Sequence, residues 1–370
     1  MSIITWSPST NGYNTPGNWS TGTVPDFTDA ALFGASAVTN LTIAASVNVG
    51  EWVFGASQYS FTLNNFSFLS IAGAGLIGDS SVAHIIVNQG NLIFYNYSTA
   101  GNSSISFGIT GNLDFEDWST SGSANIQSKS HIIFDDYSSA ATATIHILSG
   151  GFLEFNNFSS GGSAKLLTDP GATVDFFPSA GPAGNHALTI GSIAGAGTYN
   201  LGADQLIVGS NLLQMIVSGS IDDGSGTGGS VFKVGRGRLS LTHSGNTFSG
   251  GTTIEQGAFE VAAIGAAGTG PIRFAHAGKA KATLEIDNAA LSAHVFATNP
   301  IDLFGKHDVL DVTGLHFRTG ATATYHKASH HLTVHSGHVT DTLTLLSPHG
   351  THFEAGSDHH GGTDIFLFFA

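Results

Sequence analysis

Cysteine is absent from the 370-residue chain, which removes disulfides, thiolate metal ligands and cysteine nucleophiles together. Basic residues are scarce: 11 Lys and Arg stand against 26 Asp and Glu, giving a formal net charge of -15. With so few cations and no cluster of them, a groove that tracks nucleic-acid phosphates is not expected. Charged residues of all kinds make up only 10% of the chain, yet 41% is apolar, which argues against disorder. No apolar run approaches the roughly 20 residues of a membrane-spanning helix, so no membrane insertion is expected. The opening Met1-Ser-Ile-Ile-Thr-Trp-Ser-Pro8 has neither the basic segment nor the apolar stretch of a secretory signal, so export has to use another signal.

What the chain has in abundance is glycine, at 49 residues, with Phe, Ile, Val, Leu and Ala scattered among Ser, Thr and Asn. That is the vocabulary of short strands joined by turns, and long helices are not expected. A repeat organises it. Residues 92–98 read LIFYNYS, 113–119 LDFEDWS, 132–138 IIFDDYS and 153–159 LEFNNFS. The pattern is apolar, any, Phe, any, Asn or Asp, aromatic, Ser. Its Phe residues, Phe94, Phe115, Phe134, Phe155 and a degenerate Phe176, are separated by 21, 19, 21 and 21 residues.

A period near 20 with two or three short strands per copy is too short for a propeller blade and lacks a helical phase. A parallel β-helix remains. Side chains alternate along a strand, so Leu92 and Phe94 share one face and Ile93 and Tyr95 the other. The second set becomes Asp114 with Glu116, then Ile133 with Asp135, so the Leu/Phe face is predicted to be interior. Stacked copies predict two ladders: Phe94, Phe115, Phe134 and Phe155 inside, and Tyr97, Trp118, Tyr137 and Phe158 at the turn. Asn96, Asp117, Asp136 and Asn157 fall at a turn position where a short polar side chain satisfies backbone donors in neighbouring rungs. Asp117 facing Asp136 is a weak calcium motif, because neutral Asn replaces them in the flanking copies.

Residues 244–261, Ser-Gly-Asn-Thr-Phe-Ser-Gly-Gly-Thr-Thr-Ile-Glu-Gln-Gly-Ala-Phe-Glu-Val, resemble the autotransporter-associated β-strand repeat of bacterial passenger domains. Thr5-Trp6, Asn18-Trp19-Ser20 and Val24-Pro25 resemble the first repeat unit of such surface proteins. The resemblance implies a right-handed parallel β-helix outside the cell. Autotransporters end in a membrane β-barrel, for which this chain has no room. The segments 308–317, 320–325, 332–334, 342–346 and 360–364 are instead similar to the C-terminal module of rhizobial-type proteins exported by type I secretion. The end of the chain, Asp364-Ile365-Phe366-Leu367-Phe368 and the two residues after it, resembles that system's uncleaved signal. The calcium-binding nonapeptides usual in such substrates are absent, and residues 222–229 form a single Gly-rich loop.

The expected organisation is a strand or cap region over 1–60, solenoid repeats over 61–290 and a His-rich β module over 291–370, an all-β chain throughout. Thirteen of the 18 histidines lie between His276 and His360. His331 and His335 share a strand face opposite Leu332 and Val334, and with His330, His338, His349, His352, His359 and His360 they offer zinc or copper ligands. No fixed ligand spacing appears, so polar surface residues are the expectation, with no metal and no cofactor. Lys233, Arg236 and Arg238, the only small basic group, are expected to decorate one strand. Asp135 and Asp136 fall on opposite faces and cannot pair as acid and base, so no catalytic residue is expected. The Asn-x-Ser/Thr triplets at Asn18, Asn40, Asn65, Asn96, Asn102 and Asn157 are what this composition produces by chance.

The function expected is that of a secreted, extracellular structural solenoid. Its partners are further copies of itself, joined end to end or laterally into filaments or biofilm matrix, and a type I exporter. A monomeric cell-surface adhesin that binds glycans through Trp118 and Tyr137 is the alternative. A polysaccharide-active enzyme is third.

Overall fold

Four-residue strands with alternating buried and half-exposed side chains recur along the chain, and each pairs in parallel with the strand one repeat away. In a computed structural model, which describes residues 1–55, 58–64, 66–78, 83–275 and 280–368, they build an all-β solenoid of about 12 turns, 48% strand and 2% helix. The sequon at Asn65, the His276 position and the last two residues lie outside the described residues. The chain divides into two units, Met1–Gly191 and Ser192–Ala370.

In the first unit one column of strands runs through Gly90–Phe94, Asn112–Phe115, His131–Phe134 and Phe152–Phe155. A second runs through Ser104–Phe107, Asn125–Ser128, Thr144–Ile147 and Lys165–Thr168. Single parallel bridges Gly75–Thr99–Thr120–Ser139–Ser160 supply a third side. The register aligns like with like: Leu92, Leu113, Ile132 and Leu153 form one buried row, and Ile105, Ile126, Ile145 and Leu166 another.

The start of this unit is closed by aromatic rings. Trp6, Tyr13, Trp19, Phe33, Trp52 and Phe61 are buried with centroids 4.1 to 6.4 Å apart. Asn18 holds the loop above them. Its Oδ1 accepts from the Ser9 and Thr10 N–H groups at 3.0 and 3.1 Å, and its Nδ2 donates to the Gly12 carbonyl at 2.8 Å. A buried amide satisfied on both sides fixes a loop that has little regular structure of its own.

The second unit contains two parallel columns, Gln205–Val208, Ser230–Lys233, Gly251–Ile254 and Ile272–Phe274, and Met215–Val217, Arg238–Leu241, Gly257–Val261, Ala282–Ile286 and Val309–Val312. Asn246 spans successive coils: the Ile221 N–H donates to its Oδ1 at 2.9 Å, and its Nδ2 donates to the Ala266 carbonyl at 2.6 Å. Asp223 organises the Gly-rich loop by accepting from Ser249 Oγ at 2.6 Å and the Gly228 N–H at 3.1 Å.

The stack changes character at its C-terminal end. Thr363–Leu367 pairs antiparallel with Val309–Val312 and with Phe353–Ser357. Thr322–His326, His331–Ser336 and Val339–Leu345 form an antiparallel meander, which joins Val295–Asp302 through Val339–Leu345. The first column runs on in parallel through Val295–Asp302 to Val339–Leu345, where the antiparallel meander takes over, and the second ends directly against antiparallel Thr363–Leu367. An uncovered parallel edge is a template for further strands, and these strands occupy it.

Candidate interaction surface

The Phe row lies inside the first unit. Phe94, Phe115, Phe134, Phe155 and Phe176 are buried and stacked, with centroids 5.0, 4.7, 5.1 and 5.6 Å apart and interplanar angles of 16° or less. The spacing follows from the strand repeat of about 4.8 Å, which forces identical side chains in identical rotamers into contact.

Two residues on, the backbone turns through the left-handed region. Asn96, Asp117, Asp136 and Asn157 have φ of 53°, 56°, 52° and 51°. Asn and Asp adopt that conformation at the least cost among residues with a Cβ, which explains why the repeat restricts this position to them. Asp117 also reaches across the coil, where Oδ2 accepts from the Asn96 N–H at 2.9 Å. The reversal turns the next side chain outward. Tyr97, Trp118, Tyr137 and Phe158 are 74, 51, 49 and 38% exposed and stack at 5.5, 5.4 and 5.1 Å, within 17° of parallel.

Because the rings stack along the coil axis, each inner ring has both faces against neighbours and offers its edge to solvent. The edges of Tyr97, Trp118 and Tyr137 carry two phenol hydroxyls and an indole N–H. Sugars stack on open aromatic faces, and this row holds its inner faces closed. The Ser that ends each repeat turns back inside. Ser98, Ser119, Ser138 and Ser159 are buried, and their Oγ atoms make no hydrogen bond within the protein.

Beside the ring row lies an acidic face. Asp114 sits between Ile93 and Ile133 in register. Burial, with Glu116 and Asp135 adding repulsion, pushes its carboxyl up to about 7. Burial raises Glu116 too, reinforced by Asp117, Asp135 and Asp136.

The basic group expected to decorate one strand does not do so. Lys233 ends Ser230–Lys233 and is fully buried, in register with Val208 and Ile254. Its Nζ donates to the carbonyls of Val234, Gly235 and Gln256 at 2.8, 2.8 and 3.0 Å, and burial pulls the ammonium down to about 8 against the opposing pull of Glu255. An aliphatic stem lets lysine occupy an interior row when its three donors all find acceptors. Arg238 begins the next strand and pairs with Glu260 at 2.6 Å and with Glu285. Arg236 lies in the turn between and is exposed.

The described histidines from His294 to His360 are all exposed. Leu332 and Val334 are buried while His331 and His335 face out. Among the described residues no group of three or more His, Asp or Glu side chains is placed to hold a metal. In the C-terminal strand, Ile365 and Leu367 are buried, Phe366 and Phe368 are exposed, and Asp364 opposes Asp311. No protein-family model, curated protein or solved structure matches the chain.

Proposed function

We propose that the chain is an extracellular structural β-solenoid, without catalytic activity, that associates laterally with copies of itself into filaments or matrix. The observation that carries this reading is the row of four exposed, stacked rings on the first unit. Four large aromatics in one contiguous exposed row exceed what solubility favours and mark a contact surface. The covered edges at the C-terminal end favour lateral over end-to-end contact at that end. Export belongs to the same proposal. The residues assigned to the type I signal lie in a docked strand, so an exporter reads them before that strand folds.

Negative-stain electron microscopy of the purified full chain over a range of concentrations tests association. Filaments or sheets that disperse on replacing Trp118 and Tyr137 by Ser support the reading. Monodisperse single particles at high concentration overturn it. Retention of a monomer on immobilised glycans, lost in the same variant, favours the adhesin alternative, in which sugar contacts ring edges and the end faces. Deleting residues 364–370 abolishes release through a co-expressed type I exporter if the signal is correctly assigned.

A further inference from the structure

The strand that closes the second unit carries a charge conflict. In register across four strands stand Glu260, Glu285, Asp311 and Asp364. Side chains directly opposite on neighbouring strands are about 4.5 to 5.5 Å apart at Cβ, where like charges destabilise the pair. Cations touch the row at its ends: Arg238 contacts Glu260 and Glu285 at one, and Lys281 attracts Asp364 at the other, leaving Asp311 between them. Asp311 Oδ1 is shielded from water and has no hydrogen-bond partner. The recess beside it, of about 350 Å³, is lined by Arg238, Glu285, Asp311, Thr313, Asp358 and His360.

Among the described residues, the charged groups facing the row come from several elements. Asp364, Asp358 and Glu285 repel Asp311, and Arg238 attracts it. Glu285 meets Arg238, Glu260, Asp287 and Asp364. Asp364 meets Lys281, Asp358, His359 and His360. Burial opposes ionisation of Asp358, but N–H donors from His360, Gly362 and Gly361 hold its carboxylate below the usual range, so it stays charged into mild acid. Burial, reinforced by its acidic neighbours, pushes Asp311 up to about 7. Burial raises Asp364 and Glu285 in the same direction. What holds the strand down is neutral: buried Ile365 and Leu367, and Thr363 Oγ1 donating to the Leu315 carbonyl at 2.7 Å.

We propose that the hairpin Phe353–Ser357 and Thr363–Leu367 is a pH-dependent latch: protons shared along the carboxylate row keep it on Val309–Val312, and their loss releases it and bares the parallel edge. A second copy meeting that bared edge is a consequence that rests on the association reading above. The latch itself does not.

Hydrogen exchange of the full chain, normalised to intrinsic rates, reads the latch in peptides covering Val309–Val312 and Thr363–Leu367. A carboxyl titrating near 7 when closed and near its ordinary value when open makes opening rise by about tenfold or more between about pH 5 and about pH 8. Asp311→Asn removes most of that dependence and leaves the strand protected at both values. Arg238→Gln increases opening at about pH 8. Protection that is unchanged with pH in the wild type, or a pH dependence that survives Asp311→Asn with Asp364→Asn, overturns the proposal. Because the released Thr363–Leu367 exchanges whether or not a second copy covers Val309–Val312, failure of the latch and failure of the association reading are separable.

Discussion

Asp114→Asn makes the first unit more stable at neutral pH while leaving its packing intact. The carboxylate stands on the outward side of Asn112–Phe115, sandwiched between Ile93 and Ile133, with Oδ1 cut off from water and unpartnered. Burial and the nearby Glu116 and Asp135 push it from 3.8 up to about 7. At about 1.4 kcal/mol per pH unit, that span sets a ceiling of about 4 kcal/mol. Partial solvent access screens it to the order of 2 kcal/mol. The sign follows from linkage: a carboxyl raised by folding contributes stability that is complete below the ordinary carboxylate range and is lost as pH rises through the folded value. The wild type therefore weakens between about pH 4 and about pH 8, and the asparagine variant weakens less by about 2 kcal/mol. Urea unfolding followed by tryptophan fluorescence at the two pH values measures the difference. Equal pH slopes in the two proteins, or a variant less stable at about pH 8, would refute the claim that this carboxylate is strained by its position.

Phe115→Ala, in the middle of the inner row with rings at 5.0 and 4.7 Å on either side, destabilises by about 3 to 5 kcal/mol in the same urea assay. Trp118→Ala, three residues on in the same coil and half exposed, costs about 1 kcal/mol by removing two stacked contacts, and its effect on association exceeds its effect on stability. Asp117→Val destabilises by about 1 to 2 kcal/mol and Asp117→Gly by less, because φ of 56° penalises a β-branched side chain and not glycine. Lys233→Met strands three carbonyls while relieving a buried ammonium, for a net loss of about 2 to 4 kcal/mol measured by thermal or urea unfolding.

The fold class was legible because the repeat states its own register: when every twentieth residue or so is Phe and the residues between alternate, only stacked coils bring like to like. The turn position could be located from Asn96, Asp117, Asp136 and Asn157, but the left-handed conformation that selects them is a backbone property that spacing does not report. Lys233 was misplaced for a different reason. Its position belongs to an apolar row, Val208 and Ile254 in register, and a single sequence with an irregular period there hides the row. The carboxylate row was invisible because Glu260, Glu285, Asp311 and Asp364 are separated by 25, 26 and 53 residues. The last of these steps is antiparallel, so no repeat period connects Asp364 to the other three.

The N-terminal strand of the first unit and the C-terminal strands of the second meet the edge problem by different chemistry, and this bears on how copies can join. Ser2–Thr5 lies outermost on its column, and only its C-terminal half is covered. The Thr5 N–H donates to Ser20 Oγ at 3.0 Å, the Ser20 N–H returns to the Thr5 carbonyl at 3.0 Å, and Trp6 bridges Trp19 antiparallel. Ile3, in the other half, is exposed. In the second unit Thr363–Leu367 covers Val309–Val312 along its hydrogen-bonding edge, but with Asp364 against Asp311. The first cover is made by uncharged groups and is indifferent to pH. The second is favoured by protons. An assembly that lengthens only above neutral pH therefore has to use the C-terminal edge, whereas one indifferent to pH uses the ring row or the N-terminal strand. Measuring filament length against pH in wild type and in Asp311→Asn distinguishes these routes: loss of the pH dependence in the variant assigns growth to the latch edge, and its absence in both assigns it elsewhere.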